Sequence, residues 1–216
     1  MIKGFLFDLD GVIVDTAVFH FKAWRKMANK LGFDIDEAFN ETLKGISRRD
    51  SIDRILAYGG ITLSEEEIER LAKEKNEDYL TMVDTMTKEN ILPGVQELIA
   101  QIKEQNYKMA LGSASKNAPR ILDRIGLIHE FDAIVDGNSV NKSKPDPEVF
   151  IKGADALDLK NEECVVVEDA YAGVEAAIAA GMKSIGIGEQ ENLPNANIVI
   201  HSFENKKIED LLAELQ

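Results

Sequence analysis

Short apolar runs that end in polar residues recur along this chain. The first run spans Ile2 to Leu9 (IKGFLFDL) and is followed by Asp10 and Gly11, a pattern typical of a buried strand that ends in a tight turn. Similar runs lie at Lys108–Gly112, Ala133–Asp136, Cys164–Val167 and around Ser184–Ile187. Helical patterns separate them, at Val95–Gln105, Ala118–Ile125, Pro147–Leu157 and Ala170–Ala180. This alternation predicts an α/β fold with a parallel sheet wrapped by helices, in which the first run is the central strand.

The segment from Thr16 to Ile91 departs from this alternation. It contains no convincing strand, and several amphipathic helical patterns follow one another. Within it, Ser64 and Glu67 have the spacing of a capping box and predict the start of a long helix. We interpret residues 16–91 as a helical cap domain inserted into a core domain formed by residues 1–15 and 92–216. The two close connections between them are expected to act as a hinge.

Composition limits the classes of function. The chain has 216 residues, of which 44% are hydrophobic, so it can build a full core without disulfides or zinc. Its single cysteine, Cys164, favours a reducing, cytoplasmic setting. The net charge of −14 repels polyphosphates, and no apolar run reaches 18 residues, so neither nucleic acid nor a membrane is an expected partner. We expect a monomer, and any anionic substrate must be bound by a local cluster of cations.

Acidic residues follow two of the predicted strands. Asp8 and Asp10 end the first run, and Glu168 and Asp169 follow the run at Cys164–Val167. Because ligands bind beyond the carboxyl ends of parallel strands, we expect these carboxylates to converge in one cleft. Like charges at about 4 Å and an effective dielectric near 20 repel by roughly 4 kcal/mol, so the cluster requires a cation. Carboxylate oxygens favour Mg²⁺ over zinc.

Two further strand ends carry residues that suit an anion. Ser113 to Asn117 (SASKN) supplies hydroxyls and backbone N–H groups where a strand gives way to a helix. Lys144 lies in the stretch KSKPDP, where Pro145 and Pro147 rigidify the approach to the next helix and could direct the ammonium into the cleft. Taken singly, such a serine is equally well a helix cap and such a lysine a solvated side chain. Together with the acids they indicate phosphoryl transfer through an aspartyl phosphate.

At these positions the chain resembles the haloacid dehalogenase superfamily of phosphotransferases over its whole length. The resemblance rests on DLDGV at Asp8 to Val12, on Ser113, on Lys144-Pro145 and on Glu168-Asp169, in that order, with a helical insertion after the first motif. It implies a Rossmann-like core with a helical cap. Further stretches resemble the members that act as phosphomutases of β-glucose 1-phosphate: DTAVFHFKAW (15–24), LKGISR (43–48), GSASKN (112–117), SKPDP (143–147) and VEDAYAG (167–173).

The resemblance implies a role for each acid. Asp8 would be the nucleophile that becomes phosphorylated, and Asp10 the general acid and base for the sugar hydroxyl. Magnesium would be held by Asp8, the backbone carbonyl of Asp10 and Asp169, with Glu168 in or beside the shell. Phospho-Asp8 would transfer its group to the 6-hydroxyl of the sugar phosphate. The resulting bisphosphate would turn round and return a phosphoryl group.

The resemblance also implies a set of substrate-binding residues. Those expected to hold the transferring phosphate are Ser113, Ala114 and Lys144. The distal phosphate would be held by Arg48 from the cap, with Ser115 and Asn117 from the core. The remaining residues have supporting roles: Thr16 at the hinge, His20 and Lys75 to position Asp10, and Gly45, Lys44 and Trp24 around the sugar.

Three questions stay open at this level. A magnesium-dependent sugar-phosphate phosphatase would use the same Asp8 and Asp10, and a non-catalytic binding module could retain the fold. Arg49 stands where relatives usually carry an acid, so either Arg48 or Arg49 could meet the distal phosphate. Finally, His20 could simply pack on the face of its helix.

Overall fold

The computed structural model describes residues 1–215, and it contains one parallel sheet in the order β3-β2-β1-β4-β5-β6. The strands are β1 (Gly4–Phe7), β2 (Lys108–Gly112), β3 (Ala133–Val135), β4 (Cys164–Glu168), β5 (Lys183–Ile187) and β6 (Ile198–Ile200). The predicted parallel sheet is confirmed. The first strand lies inside the sheet, between β2 and β4, as its continuous apolar sequence predicts.

The register of β2, β1 and β4 determines where the polar residues meet. Phe7 at the end of β1 is level with Leu111 on one side and with Val167 on the other. The residues that follow these positions therefore emerge at the same edge of the sheet. The two faces carry separate apolar clusters, because Phe5 and Phe7 point to one face and Leu6 to the other.

The segment that the sequence marks as an insertion contains a short 3-10 helix (Lys88–Asn90) and four α-helices: α1 (Ala17–Lys30), α2 (Glu37–Glu41), α3 (Arg48–Gly59) and α4 (Glu65–Val83). The predicted capping box is confirmed, because Ser64 and Glu67 exchange side-chain to backbone hydrogen bonds at the start of α4. These helices share an apolar cluster that includes Trp24 and Met27 and is separate from those of the sheet. We call residues 16–91 the helical unit.

The two chain connections to the helical unit pair with each other. Val14 forms an antiparallel bridge with Ile91, and the Leu92 N–H donates to the Ile13 carbonyl at 2.9 Å. The remaining helices cover the sheet: α5 (Val95–Glu104), α6 (Ala118–Ile125), α7 (Glu148–Ala156), α8 (Tyr171–Ala179) and α9 (Ile208–Glu214). No helix within residues 1–215 is both long enough and apolar enough to cross a membrane.

Candidate active site

An acidic cluster lies at the carboxyl edge of β1 and β4. Carboxylate oxygens of Asp8, Glu168 and Asp169 all lie within 4.8 Å of one another. Gly11 makes this approach possible, since its φ of +79° turns the chain sharply and a Cβ there would overlap the Asp169 carboxylate. Burial first, and then the charges of Glu168 and Asp8, raise the pKa of Asp169 well above its usual range. The cluster therefore holds more negative charge than its surroundings easily stabilise.

Lys144 supplies one positive charge to this cluster. Its fully buried Nζ lies 2.6 Å from Asp8 Oδ1 and 2.5 Å from Glu168 Oε1. Burial alone would lower the pKa of Lys144, but the charges of Asp8 and Glu168 raise it above its ordinary value. The other oxygen of Glu168 accepts a hydrogen bond from the Ala170 N–H at 2.9 Å. Both Glu168 oxygens are thus engaged, whereas neither oxygen of Asp169 accepts a hydrogen bond from the described residues.

Asp10 lies next to Asp8 but in a different environment. Its backbone N–H donates to Asp8 Oδ2 at 3.1 Å, and its Oδ1 accepts a hydrogen bond from the Thr16 hydroxyl. Thr16 precedes α1 at the N-cap position yet makes no capping bond, because its hydroxyl is turned to Asp10. Burial, followed by the charge of Asp8, raises the pKa of Asp10 to about 7. Near neutral pH this carboxyl can therefore either donate or accept a proton.

Residues one turn apart at the start of α1 lie on the side of that helix that packs against α4. Thr16, His20 and Trp24 follow the i, i+4 spacing that places side chains on one side of a helix. His20 Nδ1 lies 2.9 Å from Lys75 Nζ, and the same Nζ lies 3.9 Å from the centre of the Trp24 ring. Burial, followed by the charge of Arg48, lowers the pKa of Lys75 well below its usual range. His20 therefore contacts a buried lysine and also packs on the Tyr79 ring, with the ring centroids 4.2 Å apart.

The turn between β2 and α6 is tightly ordered by its own hydroxyls. Ser113 is buried, and its Oγ accepts a hydrogen bond from the Ser115 N–H at 3.1 Å. Ser115 Oγ in turn accepts from the Asn117 N–H at 3.2 Å. These bonds fix the segment from Ser113 through Ala114 to Asn117 along one wall of the cavity.

On the opposite wall, Arg48 and Arg49 point in different directions. Arg48 Nη2 donates to Asn76 Oδ1 at 2.7 Å, and the same oxygen accepts from Asn117 Nδ2 at 2.9 Å. The guanidinium of Arg49 is exposed and pairs with Asp53 and Glu65. Of the two arginines, Arg48 is therefore the one whose guanidinium contacts Asn76, which in turn is bonded to Asn117 of the core.

One cavity of about 770 Å³ lies between the sheet edge and the helical unit. It brings together most of the residues predicted from the sequence: Asp8, Asp10, His20, Trp24, Lys44, Gly45, Arg48, Lys75, Ser113, Ala114, Ser115, Asn117, Lys144 and Asp169. Thr16 and Glu168 are fully buried and do not line the cavity themselves. Thr16 contacts the cavity residue Asp10, and Glu168 contacts the cavity residue Lys144. Lys44 Nζ lies 3.7 Å from Asp169 Oδ2.

Sequence reasoning missed several residues that line this cavity, namely Asp50, Asn76, Lys116, Lys142 and Ser143. Lys116 and Ser143 directly flank predicted site residues and stand within the quoted stretches GSASKN and SKPDP, but no role was assigned to them. Asn76 lies alone among the residues of α4, so no repeated spacing marks it in the sequence. Its importance is indicated by its hydrogen bonds with Arg48 and Asn117.

Comparisons with known proteins agree with this geometry. The chain is 41% identical over 214 residues to a β-phosphoglucomutase of Bacillus subtilis, which covers 98% of this chain and 95% of that protein. The crystal structure of a β-phosphoglucomutase from Clostridium difficile superposes with a TM-score of 0.96 at 46% identity, covering 100% of this chain and 97% of the other. The fructose-1-phosphate phosphatase YqaB of Escherichia coli is 33% identical over 186 residues, 85% of this chain and 95% of its own. Residues 5–187 match the family described as haloacid dehalogenase-like hydrolase, and the chain belongs to that family.

Proposed function

We propose that this protein is an isomerase that interconverts β-D-glucose 1-phosphate and glucose 6-phosphate through an aspartyl-phosphate enzyme and a β-glucose 1,6-bisphosphate intermediate. Its similarity to two β-phosphoglucomutases over nearly the whole chain supports this reaction. The observation that carries the proposal is one cavity lined by two separate polar groups. Asp8 and Lys144 form the first group, and Arg48 with Asn76 and Asn117 forms the second. A bisphosphate needs a cationic partner for each phosphate.

The carboxylates around Asp8 fit a divalent metal ion, which this family normally uses. Three carboxylates lie within 4.8 Å of one another, and one lysine cannot neutralise them all. We assign Mg²⁺ to the carboxylates of Asp8 and Asp169 and the backbone carbonyl of Asp10, with Glu168 beside the shell and holding Lys144. When bound, the ion would neutralise charge on the phosphoryl oxygens.

Asp8 and Asp10 divide the covalent and proton-transfer work. In the first half-reaction, the sugar 6-hydroxyl oxygen attacks the phosphorus of phospho-Asp8, the bond to the Asp8 carboxylate breaks, and the hydroxyl proton passes to Asp10. In the second, Asp8 attacks the 1-phosphate of the bisphosphate, and Asp10 returns the proton to the departing sugar oxygen. The Thr16 hydroxyl and the raised pKa of Asp10 support a carboxyl that exchanges protons near neutral pH.

The remaining residues would bind the sugar phosphate. Ser113, Ala114 and Lys144 would hold the transferring phosphate. Arg48, Ser115 and Asn117 would hold the distal one, with Gly45, Lys44 and Trp24 around the sugar. His20 and Lys75 would keep Asp10 in place from the helical unit.

We further propose that residues 16–91 act as a cap domain on a core of residues 1–15 and 92–216. The cap would open so that the bisphosphate can turn, with Thr16 at the hinge. It would close during transfer to exclude water, because water in place of the sugar hydroxyl would hydrolyse phospho-Asp8.

A magnesium-dependent sugar-phosphate phosphatase is the second candidate. The similarity to the fructose-1-phosphate phosphatase YqaB favours it, since the same Asp8 and Asp10 would serve hydrolysis. The two reactions differ in the acceptor, which is a sugar hydroxyl in the mutase and water in the phosphatase.

A coupled assay distinguishes them. Purified protein with Mg²⁺ and a catalytic amount of the bisphosphate is supplied with β- or α-glucose 1-phosphate, and both glucose 6-phosphate and free phosphate are measured. We expect glucose 6-phosphate from the β anomer with little free phosphate, and no activity in an Asp8→Asn variant. Release of free phosphate far faster than isomerisation would contradict the mutase. Full activity of Asp8→Asn would remove the proposed nucleophile.

A further inference from the structure

A hydrogen bond between distant parts of the chain joins the helical unit to the core at one point of the cavity rim. The Ser143 hydroxyl donates to Asp50 Oδ2 at 2.5 Å, across 93 positions in the sequence. The same oxygen accepts from the Ser47 hydroxyl at 2.6 Å, which fixes the carboxylate against the first turn of α3. Asp50 and Ser143 both line the cavity.

The two residues belong to the segments that carry the two proposed phosphate sites. Asp50 lies in the first turn of α3, two positions after Arg48. Ser143 immediately precedes Lys144, whose Nζ contacts Asp8. This hydrogen bond therefore connects the backbone behind one phosphate site to the backbone behind the other, in addition to the contacts of Asn76 with Asn117 and of Lys44 with Asp169.

The surroundings of this bond suit a contact that can form and break. Asp50 and Ser143 are each half-buried, so water can replace either partner when the helical unit moves away. Burial raises the pKa of Asp50, but hydrogen bonds with Ser143 and Ser47 lower it below its ordinary value, so the carboxylate is charged when it accepts the bond. A charged acceptor makes the bond stronger than one between neutral groups.

We propose that Asp50 and Ser143 form a closing contact that holds the helical unit on the core during phosphoryl transfer and releases it when the bisphosphate turns. They are positioning residues, since neither is assigned to the substrate or the reacting atoms. The inference rests on the proposed mutase reaction, because only a mutase must both exclude water and reopen with its intermediate still phosphorylated.

The sharpest variant is Ser143→Ala, which removes the donor and leaves α3 intact. The quantity measured is the amount of glucose 6-phosphate formed per phosphate released. We expect this ratio to fall about tenfold, as loss of a partly exposed hydrogen bond to a charged group implies. The midpoint of urea unfolding should barely change. Ser143→Thr keeps a hydroxyl and should restore most of the ratio.

The matched control is Ser139→Ala. Ser139 lies on the same loop, but its hydroxyl is bonded to Asp136 of the core, so this variant should keep the wild-type ratio. Phosphorylation of Asp8 by acetyl phosphate tests whether Lys144 has moved, and we expect the same rate in Ser143→Ala and wild type. In a double-mutant cycle, Ser143→Ala combined with Asp50→Asn should be no worse than the more severe single variant.

The outcomes separate the two proposals. A ratio in Ser143→Ala equal to that in Ser139→Ala would overturn the closing contact and leave the mutase reaction standing. A slower phosphorylation of Asp8 that accounts for the whole loss would also overturn it, since the effect would then act through Lys144. Absence of glucose 6-phosphate with the wild-type protein would overturn the proposed function itself.

Discussion

Replacing Lys144 by methionine tests how far the acidic cluster depends on one buried cation. The Lys144 side chain is fully buried between Asp8 Oδ1 and Glu168 Oε1, at 2.6 and 2.5 Å. Removing one partner of a buried ion pair costs about 3–5 kcal/mol, because the other charge is left uncompensated. Two unpaired carboxylates about 4 Å apart give a similar repulsion, about 4 kcal/mol at an effective dielectric of 20. We expect the free energy of unfolding to fall by about 3–5 kcal/mol.

Urea unfolding at pH 8, in the presence of a chelator, measures this loss. Lys152→Met is the matched control, because Lys152 Nζ also lies 2.6 Å from a carboxylate, that of Glu148, but is 41% exposed. An exposed pair contributes at most about 1 kcal/mol, so the control should stay close to wild type. Added Mg²⁺ should return more stability to Lys144→Met than to wild type, since the vacated carboxylates remain close together. A loss in Lys144→Met no larger than in Lys152→Met would refute the reasoning.

Three further predictions concern other parts of the site. Arg48→Ala should lower the mutase kcat/KM by about 100-fold, because the distal phosphate would lose its buried cationic partner. Arg49→Ala should change kcat/KM less than about threefold. Steady-state kinetics measures both values. Gly11→Ala should weaken Mg²⁺ binding about tenfold in calorimetric titration, because the added Cβ displaces Asp169. Lys75→Met should unfold at higher urea than wild type at pH 7 while losing activity. Folding lowers the pKa of Lys75, so the free energy of unfolding of the wild type rises as the pH approaches 10.5, the ordinary pKa of a lysine. The stability difference between Lys75→Met and wild type should therefore be smaller at pH 9.5 than at pH 7. A difference that is the same at both pH values would contradict this reasoning.

The sequence was sufficient to predict the sheet and its functional edge because both depend on local patterns. Continuous apolar runs identify buried parallel strands, and the rule that ligands lie beyond their carboxyl ends selected Asp8, Lys144 and Asp169. The strand β6 and the helix α9 were not predicted. Ile208–Glu214 spans only two turns, which offers too few positions for a clear periodicity. Ile198–Ile200 is as short as the predicted β3, but no helical pattern precedes it to mark it as part of the alternation.

Contacts between distant segments were beyond the reach of the sequence. Nothing in the spacing of Asp50 and Ser143 relates them, and Asn76 becomes significant only because α4 places it between Arg48 and Asn117. The uncertainty between the two arginines had the same origin. Adjacent residues on a helix point about 100° apart, so the side that faces the cavity depends on how α3 packs and not on the motif alone.

The acidic character of the chain and its phosphate chemistry are reconciled by where the cations lie. Of 25 lysines and arginines, seven line the cavity, and they come from both parts of the fold. Lys44, Arg48, Arg49 and Lys75 belong to the helical unit, and Lys116, Lys142 and Lys144 to the core. Four of the seven are already paired with carboxylates, namely Lys44, Arg49, Lys142 and Lys144, whereas no carboxylate of the described residues pairs with Arg48. A substrate with two phosphates would interact with Arg48 of the helical unit and with Lys144 of the core, which would favour closure. On this argument the bisphosphate itself supplies the attraction that closes the cap, and the neutral sugar hydroxyls need only set its orientation.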